Sequence, residues 1–187
     1  MDIYKRIDTV PGQELAKNIE IDFRRFMSAA PNLQSGESFY FGFWPVKIFE
    51  TASSLEPREF DFSLKDFVQG LDRSSLLWQE QLRVLRTESL DWHSIEIEQS
   101  IFVTESVRNR RANDVVEGVR DMSPPLGASG WFIYTQLDRD AQKPFISVSL
   151  ADLLKAFDLS LLRFLGLPPG WMFNVNAVGE SSIWQEG

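Results

Sequence analysis

Hydrophobic and polar positions fall into blocks whose period changes along the chain. Leu15, Ile19, Phe23, Phe26, Met27 and Ala30 recur at helical spacing. They follow Thr9 and Pro11, and proline at a first helical position costs no hydrogen bond. The spacing predicts a helix to about residue 30, preceded by a short edge strand or arm over residues 1–10. Pro31, Asn32, Ser35 and Gly36 end it. The run SFYFGFWPVKIF, Ser38 to Phe49, is aromatic and β-branched and predicts a strand, with Gly42 and Pro45 marking a bulge or an edge position. The polar stretch from Thr51 to Asp61 predicts a loop. Ser63 and Asp66 then form a capping-box pattern, in which the hydroxyl takes an amide proton three residues on and the carboxylate reaches back. Asp72 is placed to cap a second helix running to about Arg86, with Trp78, Leu82 and Leu85 on one face.

Further along, Ser94 to Thr104 alternates as a strand. A polar turn with Arg108, Arg110, Arg111, Asn113 and Asp114 separates it from a strand over Val115 to Met122. The breaker-rich loop SPPLGASG leads into a strand from Trp131 to Leu137, a polar turn from Asp138 to Lys143 and a short strand from Phe145 to Val148. Ser149 and Asp152 repeat the capping-box pattern. Asp158 caps a last short helix, which Gly166, Pro168 and Pro169 stop. Trp171 to Val175 and Ser182 to Trp184 predict a hairpin with Gly179 near its turn.

The stretch from Ser63 to Leu76 echoes that from Ser149 to Leu162. Ser63, Leu64, Asp66, Asp72, Ser74 and Leu76 match Ser149, Leu150, Asp152, Asp158, Ser160 and Leu162. A Ser-Gly pair precedes each unit, at Ser35-Gly36 and Ser129-Gly130. The expectation is an α+β fold with an antiparallel or mixed sheet and packed helices, built as two related strand–helix–helix–strand halves. These are residues 1–99 and 100–187.

Composition narrows the function classes. Apolar residues make up 43% of the 187-residue chain and aromatics 13%, with 15 Phe and 6 Trp. That is enough for a packed core. The net charge of −8 repels phosphate backbones and disfavours nucleic-acid binding, while it attracts a basic protein partner. The chain has no cysteine, so it has no disulfide and no thiolate metal site, in keeping with a reducing cytoplasm. No run approaches the roughly 18 apolar residues of a membrane span.

No stretch carries a catalytic signature. His93 is the only histidine and has no evident partner to orient its ring. Asp138 and Asp140 could form a carboxylate pair, as in a hydrolase, but no glycine or further acid follows at calcium-loop spacing. There is no phosphate loop and no nucleophile elbow, and the residues point to no metal and no cofactor. Arg108, Arg110 and Arg111 read as a solvated turn that could also grip carboxylates of a partner. The aromatics from Phe39 to Trp44 are too many for one face of a strand, which makes Trp44, with Trp184, a candidate for exposure. An interaction scaffold and a small-ligand sensor with an aromatic pocket stay open beside the hydrolase.

From about Ser100 to Trp184 the chain resembles a bacterial immunity-protein family associated with polymorphic toxins, number thirty-three in the immunity series. The resemblance rests on SIFVTESV, VVEGVRDM, the Pro-rich loop into Ser129, Gly130 and Trp131, an acidic turn, and the Leu-Pro-x-Gly stretch from Asp158 to Gly170 before an aromatic strand. The family's Gly-Asp-Glu turn is replaced here by Gln136, Leu137 and Asp138. The resemblance implies a small, cytoplasmic, non-enzymatic protein that neutralises a cognate toxin by stoichiometric binding. On that reading Asp138, Asp140 and Glu180 are candidate rim acids, and Trp131 and Trp184 candidate anchors.

Overall fold

The computed structural model describes residues 34–52, 55–108, 114–156 and 158–185. The predicted arm and helix of residues 1–30 lie outside them, as do Arg110, Arg111 and Asn113. The fold is α+β. The chain divides into two compact units, residues 1–79 and 80–187.

Among its described residues the first unit holds four strands, β1 (Ser38–Phe41), β2 (Trp44–Glu50), β3 (Leu55–Asp61) and β4 (Asp66–Gln69), paired antiparallel in sequence order. The single strand predicted over Ser38 to Phe49 is a hairpin. Gly42 takes a φ of 59°, open to glycine at little cost, and the chain folds back so that Phe41 pairs with Trp44. Alternation along β2 sends Trp44, Val46 and Ile48 into the core. Trp44 is fully buried and its indole donates to the Phe60 carbonyl at 2.9 Å, so it is not an exposed aromatic. The polar stretch read as a loop is largely strand β3. Its charges hid it, because one of them, Glu59, is buried with its carboxylate accepting from the amides of Arg73 (3.1 Å) and Ser74 (2.8 Å).

Those amides open helix α1 (Asp72–Thr87), whose later part belongs to the second unit. Glu59 therefore satisfies the orphan donors that Asp72 was expected to cap. The Ser63–Asp66 capping box does not form. Asp61 Oδ1 accepts instead from the amides of Ser63 (2.7 Å) and Leu64 (2.9 Å), and the chain turns into β4. Such an Asx turn offers the backbone an alternative to helix. The strand that follows sets Phe67 against Phe60 at 5.2 Å, across a direct pair. The echo of Ser149 to Leu162 is thus one of sequence. It does not make a second strand–helix–helix–strand unit, because residues 38–87 run, where described, as four strands into a helix.

The second unit contains β5 (Ser100–Thr104), α2 (Glu105–Arg108), β6 (Val116–Arg120), β7 (Ala128–Thr135), α3 (Gln136–Asp140), β8 (Phe145–Ser149), α4 (Leu150–Ala156), α5 (Leu159–Leu162), β9 (Trp171–Val175) and β10 (Ser181–Gln185). Its sheet has the order β10-β9-β6-β7-β5-β8, and only β5 and β7 pair parallel. Here the capping box is real. Ser149 Oγ accepts from the Asp152 amide, and Asp152 Oδ2 accepts from the Ser149 amide, each at 3.2 Å. Asp158 caps α5 through Ser160 N at 3.0 Å.

One face of this sheet is core. Trp131, Ile133, Ile101, Val103, Phe173 and Val175 are all essentially unexposed. Burial of side chains this size contributes about 2 kcal/mol each. The Trp131 indole donates to the Leu165 carbonyl at 3.2 Å, and Phe173 stacks on Phe164 at 4.3 Å. Phe173 also lies directly over Gly118, its strand partner. A Cβ at Gly118 would meet the ring at 2.1 Å.

Candidate binding surface

The other face of the six-stranded sheet follows from the register. Direct partners share a face, and the pairs Trp184–Met172, Met172–Val119, Val119–Phe132 and Phe132–Phe102 line up across five strands. Phe102 and Phe132 stack at 5.0 Å, and Phe145 meets Phe132 edge-on at 5.4 Å. No member of this row is fully buried. Trp184 is 38% exposed and Phe145 42%. The pleat thus splits β7, with Trp131 and Ile133 inward and Phe132 and Tyr134 on the half-open face.

The register also gathers the turns. Val116 pairs with both Thr135 and Val175, so α3 and the turn from Asn176 to Glu180 lie at one end of the sheet. Asp140 there is exposed and pairs with Arg139 at 3.3 Å, while Arg139 also reaches Glu117 at 2.8 Å. Glu180 is exposed and accepts from Asn176 Nδ2 at 2.9 Å. Asp138 differs from both, being only 6% exposed. Its amide donates to Thr135 Oγ1 at 3.2 Å, the cap of α3, and its Oδ1 accepts from Ser106 Oγ at 2.9 Å. Burial pushes its carboxyl up. The neighbouring hydroxyls of Thr104, Ser106 and Thr135, with the charge of Lys143, outweigh that and hold it below the usual aspartate value. Asp138 lines a cavity of about 430 Å³ between α2 and α3.

Of the expected site residues, the structure brings Asp138, Asp140 and Glu180 to one end of the sheet, with Asp138 buried rather than on the rim. Trp184 lies nearer the opposite end, on the half-open face. Trp131 is fully buried, so it is core and no surface anchor. His93 is exposed, and its amide donates to the Gly166 carbonyl at 3.0 Å. Among the described residues no group of three His, Asp or Glu could hold a metal ion, and no helix is long and apolar enough to cross a membrane. Sequence reasoning missed Phe102, Val119, Phe132 and Met172. Their signal was the alternation along each strand, which becomes a surface only once the register is known.

An α+β domain with one face of its sheet packed and the other half-open defines the class. Residues 80–186 match the family profile of the Imm33-like domain. That is more than half of the chain, and the chain belongs to the Imm33-like family. Neither a curated protein nor a solved structure matches it.

Proposed function

We propose that this chain is an immunity protein that binds a cognate bacterial toxin one-to-one in the cytoplasm and blocks it without catalysis. Family membership supports the class of activity. The observation that carries the binding mode is the row Trp184, Met172, Val119, Phe132 and Phe102 on a half-open sheet face. Interfaces draw their energy from a few aromatic anchors, and Trp184 is the largest exposed one on this face. The net charge of −8 favours a basic partner and speeds its approach. Asp140 and Glu180 supply exposed acids at one end of the same sheet.

Co-expression with the product of the adjacent gene, followed by co-purification and binding kinetics at two salt concentrations, tests this reading. A stable equimolar complex that abolishes the toxin's activity is expected. A toxin that stays active in the presence of excess protein overturns it.

A further inference from the structure

The last strand of the six-stranded sheet is tied down on one side and bare on the other. β10 stands at one edge of the order β10-β9-β6-β7-β5-β8, and among the described residues no strand pairs with its outer side. Its inner side and its turn are well anchored. Arg163 Nη2 donates to the Gly179 carbonyl at 2.9 Å and to Ser181 Oγ at 3.2 Å. Asn176 Oδ1 accepts from the amides of Val178 (3.1 Å) and Glu180 (3.0 Å), and Asn174 Oδ1 accepts from the Ser182 amide at 3.1 Å. Yet Ser181, Ser182, Trp184 and Gln185 are exposed. The strand also lacks the usual guards against stray pairing. SSIWQ contains no charge and no proline, and its register against β9 runs without a bulge. At the other edge, β8 is entered through Lys143 and Pro144, residues that discourage pairing.

The direction of its backbone groups follows from the turn. The Asn176 amide donates to the Glu180 carbonyl at 3.0 Å, and hydrogen-bonded pairs alternate along an antiparallel ladder. Ser182 opposite Asn174 and Trp184 opposite Met172 therefore turn their amides and carbonyls to β9. Ser181, Ile183 and Gln185 turn theirs outward, where another strand could take them. The apolar row of the half-open face also ends on β10, at Trp184, so a strand added there would extend that row. A second copy of the chain fits poorly. Two β10 strands paired antiparallel about Ile183 would set Glu180 of one copy against residue 186 of the other, also Glu, and like charges opposite one another repel. The same acids favour a segment bearing Lys or Arg. We propose that β10 receives an extended basic segment of the toxin, which pairs along its outer edge and continues the sheet. Main-chain bonds to Ser181, Ile183 and Gln185 supply the attachment, and Trp184 supplies a contact for the segment's side chains. That the segment belongs to a toxin rests on the immunity reading above.

Hydrogen exchange of the ¹⁵N-labelled whole chain, free and with the co-encoded toxin, tests the edge residue by residue. In the free protein the amides of Ile183 and Gln185 should exchange at least about tenfold faster than that of Trp184. In the complex both should slow by at least about tenfold, whereas a contact through side chains alone leaves the alternation untouched. Ile183 methylated on its main-chain nitrogen, introduced by ligating a synthetic C-terminal peptide, loses the central outward donor and keeps the inner ladder. That protein should fold as the wild type does and bind the toxin at least about tenfold more weakly. Equal binding by the folded variant, or no slowing at Ile183 in a complex that forms, overturns the proposal and leaves the immunity reading standing. A variant that unfolds also overturns it, because the Ile183 amide would then serve the inner ladder. A toxin segment that is protected in the complex but free of Lys and Arg overturns its basic character. Slowing at Ile183 in the free protein that grows with protein concentration would place a second copy on the edge and overturn the assignment to the toxin. A toxin that the wild type neither binds nor neutralises overturns both readings.

Discussion

Arg120 donates from inside the core to the main-chain carbonyl of Leu167, a residue 47 positions further along the chain. The same guanidinium reaches the carbonyls of Ser94 at 3.1 Å and Ser129 at 3.3 Å. Among the described residues no carboxylate pairs with it. It instead ties three segments, one of them through His93 as well as Ser94, to the end of β6. Burial pushes its pKa down to about 10, still far above neutrality, so it stays charged in the folded protein.

R120M leaves those carbonyls buried without donors, and R120K offers one point of attachment where a planar fork served several. Each should lose about 3 kcal/mol of stability in urea unfolding, since buried polar groups left unpaired cost more than the bonds contributed. A loss below about 0.5 kcal/mol for both variants would mean that water replaces the guanidinium at no cost.

Ser149 and Ser63 stand in matching sequence patterns with opposite outcomes. S149A removes the acceptor for the Asp152 amide and should cost about 1 kcal/mol. S63A should be near neutral, because Asp61 receives the Ser63 amide and the side chain caps nothing. Parallel thermal melts of the two variants decide the matter. Equal losses would restore the helical reading of residues 63–70.

That contrast shows where the sequence was legible. The capping box at Ser149, the cap at Asp158, the breaker loop before β7 and the C-terminal hairpin are set by residues within a few positions of one another. Local chemistry alone could reveal them. Glu59 capping α1 and Arg120 binding Leu167 join residues far apart in the chain, and no local window contains them. Ser63 was misread because Asp61, two residues upstream, competes for the same amide. The half-open face was invisible for a related reason: each strand shows its alternation, but only pairing decides that Trp184, Met172, Val119, Phe132 and Phe102 share a row. Trp131 and Trp184 look equivalent in sequence, yet the pleat sends one into the core and the other outward.

Glu59 gives a pH dependence of definite sign. Burial raises its pKa above 4.5, against the hydrogen bonds from Ser74 and Arg73 that lower it. The folded state therefore holds the proton more tightly than the unfolded chain. The resulting stability is fully present below pH 4.5 and is lost as pH rises through the folded value. E59Q cannot titrate. Urea midpoints between about pH 4 and 8 should move in favour of E59Q as pH rises and level off above the folded value. Wild type gaining on E59Q over that range would contradict the assignment.

Gly118 should resist the most conservative change. Alanine normally improves a strand position over glycine by about 0.5–1 kcal/mol. Here its Cβ would sit 2.1 Å from the Phe173 ring, which is pinned against Phe164 at 4.3 Å. G118A should therefore destabilise by about 2 kcal/mol, in line with overpacking elsewhere. Pairing it with F173L tests the cause, because the smaller side chain should recover part of the loss. An alanine variant as stable as wild type would show that the ring has room to move.

The binding surface makes the last prediction. If the half-open face contacts a toxin, its two kinds of residue should act on different rate constants. Trp184 offers the largest exposed ring of an apolar row, at its edge-strand end, and W184A should cost at least about 2 kcal/mol, mostly through faster dissociation. D140N and E180Q remove exposed charge and should slow association at low salt with little change in dissociation. Surface-immobilised kinetics with the co-encoded toxin at two salt concentrations separates these effects. W184A with unchanged dissociation moves the contact away from this face. Association indifferent to salt in the wild type removes the charge from the mechanism.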